Sequence, residues 1–274
     1  MTRPTIVFSH GNGFPGGTYS VLLQHLQARG FDTVFIDKFG HDARYRVSNN
    51  WPQLIQQLHD FVLPLAKKRG PVYLVGHSLG GFVSLLCAAR HPELARGVVL
   101  LDSPLIGGWR ATGVGVAKRT PLMSRVSPGA VSSQRRTSWA DADAALAHFA
   151  HKKAFAKWDP QTLRDYITHG TQEQDGKCVL SFDREIETAI YNTLPSNIEN
   201  TLRRHPLKCP VAFVGGLHSK ELKQAGLALT EKVCKGRLAM LDGTHLFPME
   251  QPQATAALVE AAILNFESSA YIKH

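Results

Sequence analysis

The 274-residue sequence holds only four cysteines, Cys87, Cys178, Cys209 and Cys234. They lie far apart and fit no metal-ligand spacing. Cys87 falls in an apolar helical stretch and is expected as a buried free thiol. No apolar run is long enough to span a bilayer, and no signal peptide precedes the first strand-like run, so stable membrane insertion is not expected and a reducing cytoplasm is the default. The basic residues form no long run and no nucleic-acid motif stands out, which excludes nucleic acid as an expected partner. No histidine pair at i, i+4 and no carboxylate-rich cluster sits at ligand spacing, so neither metal nor cofactor is expected. Internal repeats and low-complexity tracts are absent as well.

What is present is a soluble globular composition, 43% hydrophobic and 19% charged, with a net charge of +9. The basic excess fits an anionic substrate or surface, but ordinary solubility accounts for it too. Short apolar runs recur at Thr5–Phe8, Thr33–Ile36, Val72–Val75, Gly97–Leu101, Pro210–Gly215 and Arg237–Leu241. Helical periodicity separates them: Thr18 to Arg29 with Thr18 as N-cap, a helix capped by Asn50 and kinked or shortened at Pro64, Leu79 to Arg90, Lys220 to Cys234, and Gln251 to Phe266. Strands that are apolar on both faces and alternate with helices predict a parallel sheet covered on both sides. Reactive groups in such sheets gather at the carboxyl ends of the strands. His10, Asp37, Ser78, Asp102, His218 and His245 all fall just past a strand end.

Ser78 lies inside Gly76-x-Ser78-x-Gly80, between a β-type run and a helix-type run. The pentapeptide alone is weak; its place at a strand-to-helix turn gives it weight. A serine hydroxyl is a poor nucleophile unless held clear of the chain beside a base and oxyanion donors, and such a turn does this. The loop His10-Gly11-Asn12-Gly13-Phe14 and the late segment Gly243-Thr244-His245 complete the pattern. Between the fourth and fifth runs stands an insertion of different character, about 105–207, dividing a core of 1–104 and 208–274. From Gly108 to Ala140 it carries Arg110, Lys118, Arg119, Arg125, Arg135 and Arg136 with no acidic residue, and from Ala140 onward it reads as helical. A mostly helical cap over the strand ends is expected there.

Together these motifs resemble the α/β-hydrolase superfamily, in its capped subgroup, along nearly the whole chain. The resemblance implies an α/β fold with about six mostly parallel strands, ordered 2-1-3-4-5-6 because the two strands that commonly precede the His-Gly loop are missing. It implies Ser78 as nucleophile and His245 as base. The backbone N–H of Leu79 would be one oxyanion donor, and Asn12 or Gly13 would supply the second. His10 would order that loop. The acid usually follows the strand Val211–Val214, where this chain has Ser219. Some relatives place it one strand earlier, here Asp102, which is preferred; Glu221 is the alternative, and Asp242 is expected to brace the histidine loop.

Other residues have two readings. His77 would line the pocket beside Ser78, pack, or face solvent, and Phe14 is a candidate for substrate contact. Trp109, Phe149, Phe155, Trp158 and Tyr191 would floor an acyl pocket or form the core of the insertion. The expected activity is hydrolysis of a small-molecule carboxylic ester or thioester through an acyl-enzyme. The alternatives are a carbon–carbon bond hydrolase whose insertion arginines hold a substrate carboxylate, and a slow-turnover ligand-binding protein.

Overall fold

The computed structural model describes residues 3–106 and 132–271. Trp109, Arg110, Lys118, Arg119 and Arg125 lie outside the described residues. The described chain runs as β1 (Thr5–Ser9), a 3₁₀ turn (Gly16–Tyr19), α1 (Ser20–Ala28), β2 (Asp32–Phe35), α2 (Pro52–Arg69), β3 (Val72–His77), α3 (Leu79–Arg90) and β4 (Ala95–Leu101). The region between the fourth and fifth strands of the main sheet follows, with β5 (Ser138–Trp139), α4 (Ala142–Ala150), α5 (Pro160–Gly170), β6 (Thr171–Gln174), β7 (Lys177–Leu180), α6 (Arg184–Asn192) and α7 (Ile198–Arg204). The chain then returns through β8 (Val211–Gly216), α8 (Lys220–Ala225), α9 (Ala228–Cys234), β9 (Leu238–Leu241), α10 (Phe247–Glu250) and α11 (Pro252–Tyr271).

Six strands form one parallel sheet in the order β2-β1-β3-β4-β8-β9, the order expected from the sequence. Side chains alternate across each central strand and so feed two separate cores. Val7, Leu74, Leu100 and Phe213 face α2 and α3. Ile6, Phe8, Tyr73, Val75, Val99 and Val214 face α1 and α11. Each fully buried aliphatic or aromatic side chain of this kind contributes roughly 1.5–3 kcal/mol. The outer strands β2 and β9 are only partly covered, and Phe35 and Met240 are exposed there.

Several local expectations are corrected. Thr18 does not cap α1; it lies inside the 3₁₀ turn, and Tyr19 occupies the N-cap. Asn50 does not cap α2; it and Trp51 both take left-handed backbone angles, and Asn50 Oδ1 instead accepts from the Ser196 N–H. Pro64 does not shorten α2, which continues to Arg69, with the proline on its exposed side. The helix foreseen over 220–234 is two helices, because Gly226 adopts φ +74° at the end of α8. The region between β4 and β8 is not simply helical either: β5, β7 and β6 form a small antiparallel sheet. All four cysteines are free.

Candidate active site

Ser78 stands alone between the last residue of β3 and the first of α3, at φ 51° and ψ −115°. A non-glycine residue rarely holds such angles unless its surroundings over-determine them. Here they do. The Ser78 N–H donates to the Leu101 carbonyl at 2.9 Å, and Ser103 Oγ donates to the Ser78 carbonyl at 2.8 Å. The two glycines of the motif permit close approach: a Cβ on Gly76 would sit 2.3 Å from the Gly80 carbonyl carbon, and one on Gly80 would sit 2.0 Å from the Ser9 carbonyl oxygen. Helix α3 therefore starts directly against β3 and β1. As its first residue, Leu79 has an N–H with no acceptor inside the helix.

His245 comes to Ser78 from the loop after β9. Its Nε2 lies 3.0 Å from Ser78 Oγ and its Nδ1 lies 2.6 Å from Asp102 Oδ2. With Nδ1–H given to the carboxylate, Nε2 is left to accept the serine proton. Asp102 is fully buried at the end of β4, itself at φ 43°. Its Oδ1 accepts from the Gly216 N–H at 2.8 Å, and its Oδ2 accepts also from Ser219 Oγ at 2.5 Å. Ser219, at the position where the resemblance led an acid to be expected, thus donates to the carboxylate from the neighbouring strand. Glu221 Oε2 is 3.9 Å from His245 Nδ1, beyond a hydrogen bond. Asp102 is therefore the carboxylate that contacts the imidazole directly. Burial opposes a charge on His245, but the Asp102 hydrogen bond and the charges of Glu221, Asp102 and Glu250 outweigh it and hold its pKa above the ordinary histidine value.

The loop carrying His245 is held by Glu250, which accepts from the Thr244 N–H at 2.9 Å and from Thr244 Oγ1 at 2.5 Å. Asp242 pairs instead with the exposed His218 at 2.7 Å, while its backbone carbonyl accepts from the Gln251 side chain. Gly216 lets this loop close over β8, since a Cβ there would lie 2.5 Å from the Thr244 carbonyl oxygen.

On the other side of Ser78, His10 is fully buried. Its Nε2 accepts from the Phe39 N–H, and its Nδ1–H donates to the Gly11 carbonyl at 2.8 Å. Burial pushes its pKa down to about 4. The N–H groups of Asn12 and Gly13 make no hydrogen bond among the described residues, whereas Asn12 Nδ2 donates to the Glu187 carbonyl of α6. Of the three readings open to His77, lining the pocket, packing or facing solvent, the buried side chain fits packing. It is fully buried, and both ring nitrogens are engaged by the protein. Its Nε2–H donates to the backbone carbonyl of His245 at 2.8 Å, and its Nδ1 accepts from the Tyr19 hydroxyl at 2.7 Å. That hydroxyl oxygen accepts from the Gly11 N–H at 3.0 Å. Tyr19 and His77 thereby tie the Gly11 loop to the His245 loop. Burial, and then the charge of His245, press the His77 pKa well below the ordinary value. Tyr19 escaped the sequence reading because it lies in no motif, and Ser219 was noted only as standing where an acid was looked for, not as a donor to Asp102.

The region between β4 and β8 meets the site at Gly13 and Phe14. A Cβ on Gly13 would lie 2.7 Å from Glu187 Oε1 and 3.2 Å from Arg135 Nη1. Arg135 is itself committed: Nη1 pairs with Glu187 Oε2 at 2.7 Å and Nη2 donates to the Tyr166 hydroxyl at 2.6 Å. Phe14 packs on Trp158 and Tyr166. Phe149, Phe155 and Trp158 stack around Tyr166 as a buried cluster, while Tyr191 is half-buried.

Among the described residues, Asp102, Glu221 and His245 have potential ligand atoms within 4.8 Å of one another. The 2.6 Å contact from Nδ1 to Asp102 is shorter than the roughly 3.3 Å that separates two ligands of a tetrahedral zinc. The arrangement suits a shared proton better than an ion. No helix among the described residues is long and apolar enough to cross a membrane.

Over 104 residues, the chain is 32% identical to the 2-(acetamidomethylene)succinate hydrolase of Mesorhizobium japonicum, covering 36% of this chain and 35% of that protein. Over 109 residues it is 34% identical to the monoglyceride lipase of Rattus norvegicus, covering 38% of this chain and 36% of that protein. These alignments span about a third of each relative's length. In three dimensions the chain resembles the crystal structure of E-2-(acetamidomethylene)succinate hydrolase, with a TM-score of 0.73, 24% identity, and 97% and 91% of the two chains covered. The model of the alpha/beta hydrolase family matches residues 6–258, nearly the whole chain, and the chain belongs to that family.

Proposed function

We propose that the protein is a serine hydrolase that cleaves a small-molecule carboxylic ester or thioester through an acyl-enzyme. The observation that carries this reading is the unbroken line from Ser78 Oγ to His245 Nε2 at 3.0 Å and from His245 Nδ1 to buried Asp102 at 2.6 Å. In the first step Ser78 Oγ bonds to the acyl carbon and its proton passes to Nε2. The negative oxygen that forms is met by the Leu79 N–H and by the N–H of Asn12 or Gly13. As the intermediate collapses, the bond to the leaving oxygen or sulfur breaks and Nε2–H protonates it. Water then repeats the sequence on the acyl-enzyme and releases the acid and free Ser78.

The region between β4 and β8 acts as a cap in this proposal, contacting the oxyanion loop through Glu187 and Phe14. A carbon–carbon bond hydrolase would need a free cation for its substrate's carboxylate. Among the described residues, the insertion arginine beside Gly13 is Arg135, which is already engaged by Glu187 and Tyr166, and this supports the ester reading. Monoglyceride lipase among the relatives agrees with an ester substrate.

The test is Ser78→Ala. Turnover of p-nitrophenyl esters and labelling by a fluorophosphonate probe should both vanish, and mass spectrometry of the wild type should find the acyl group on the Ser78 peptide. Labelling that survives the substitution overturns the assignment.

A further inference from the structure

Glu221 stands in the first turn of α8, two residues after Ser219. Its Oε2 lies 3.3 Å from Ser219 Oγ and 3.9 Å from His245 Nδ1. Ser219 has one hydroxyl hydrogen, and its 2.5 Å contact with Asp102 is the shorter one. The single hydrogen on Nδ1 is likewise given to Asp102. Glu221 therefore faces the imidazole with a charge and no proton to share.

We propose that Glu221 is a second carboxylate for His245, acting through its charge across a gap too wide for a hydrogen bond, so that acids from two adjacent strand ends serve one base. This rests on the reading of His245 as the base for Ser78. The groups that face His245 are Asp102 from the end of β4, Glu221 from α8, Glu250 from α10, and His77 from the end of β3, whose ring centre is 5.0 Å away. His77 is held neutral by burial. The charges acting to raise the His245 pKa are thus three carboxylates.

The two nearest acids differ in kind. Asp102 is sealed from solvent and sets the imidazole's orientation through a direct hydrogen bond. The Glu221 side chain is 52% exposed, so its field passes partly through water and is screened by salt. It is a positioning residue that stabilises the imidazolium formed while Ser78 is being acylated.

The decisive variant is Glu221→Gln, which keeps an oxygen for Ser219 and removes the charge. Neutral His245 is the active form, so losing a nearby negative charge moves the acid limb of kcat/KM to lower pH. At low ionic strength the expected shift is roughly half a pH unit to one unit, and the plateau falls by about fivefold, from the attraction of two charges near 4 Å in a water-like medium. In 1 M salt, where the screening length is about 3 Å, the difference from wild type should nearly close. Glu221→Asp, which keeps the charge, should lie between the two.

The imidazole titration of His245 followed by NMR, with its signal assigned by loss in His245→Gln, should show the same downward shift and requires no turnover. An unchanged titration, or a shift indifferent to salt, overturns the role of Glu221. Hydrolysis that persists in Ser78→Ala would instead overturn the hydrolase reading and leave the titration result intact.

Discussion

Ser78 and Asp102 share an uncommon trait: both sit just past a strand with positive φ, at 51° and 43°. Each is turned out of its strand by backbone geometry, so its side chain meets His245 without help from a long flexible chain. This makes the Asp102 contact specific. Asp102→Asn should leave the fold intact but offer Nδ1 an amide, favouring the wrong tautomer. By analogy with triad acids elsewhere, kcat should fall about 10⁴-fold with little change in thermal midpoint. A fall of less than tenfold would mean that Glu221 takes over as the direct partner. Ser78, Asp102 and His245 were legible as candidates because each sits beside glycines or past a strand end, with Glu221 left as the alternative to Asp102. The roles of Tyr19 and Ser219 were not, because they exist only through contacts such as Tyr19 with His77, 58 residues away, and Ser219 with Asp102, 117 residues away.

At the scale of elements, the turn at Ser78 depends on how closely α3 lies against β1. Gly80 is the contact point, and its missing Cβ would fall 2.0 Å from a backbone oxygen that cannot rotate away. Gly176 is the useful contrast, a turn glycine at φ +70° with nothing within 4 Å. Gly176→Ala should cost only the left-handed backbone penalty, about 1–2 kcal/mol, with activity retained. Gly80→Ala should displace α3 and yield insoluble or inactive protein. Melting curves and soluble yield decide between them; equal behaviour would contradict the packing described.

The element order was readable because the runs were short, apolar and evenly interrupted. Element boundaries were harder to read: Asn50 and Thr18 have good capping chemistry but spend it elsewhere or not at all. Asn50 binds Ser196, and Thr18 Oγ1 is buried without a partner among the described residues. The small β5-β7-β6 sheet was missed because strands of two to four residues carry too little alternation to declare themselves.

For the whole molecule, buried histidines couple the site to acid stability. His10 has a folded pKa of about 4 against an ordinary value of 6.5, and His77 is lowered too. Below pH 6.5 the unfolded chain takes up protons that these two refuse in the fold, so stability falls as pH drops toward 4. The slope should approach 2.7 kcal/mol per pH unit, about 1.4 for each group. His245, whose pKa is raised, acts in the opposite sense: its contribution is full below the unfolded value and is lost as pH rises through the folded one. Urea-unfolding midpoints measured from pH 7 to pH 4.5 should show the acid decline, and a flat profile would refute it.

The candidate site joins residues 78, 102 and 245, whose extremes are 167 positions apart. No hairpin or helix pair can assemble it early. The histidine follows β9, the last strand of the sheet in chain order and one of its two edges. During refolding, regained turnover should therefore trail the recovery of helical circular dichroism, and truncated or nicked chains should bind dyes before they cleave anything. On the proposed reading, turnover itself reports complete folding, since it switches on only when Ser78 has met a histidine from the last part of the chain.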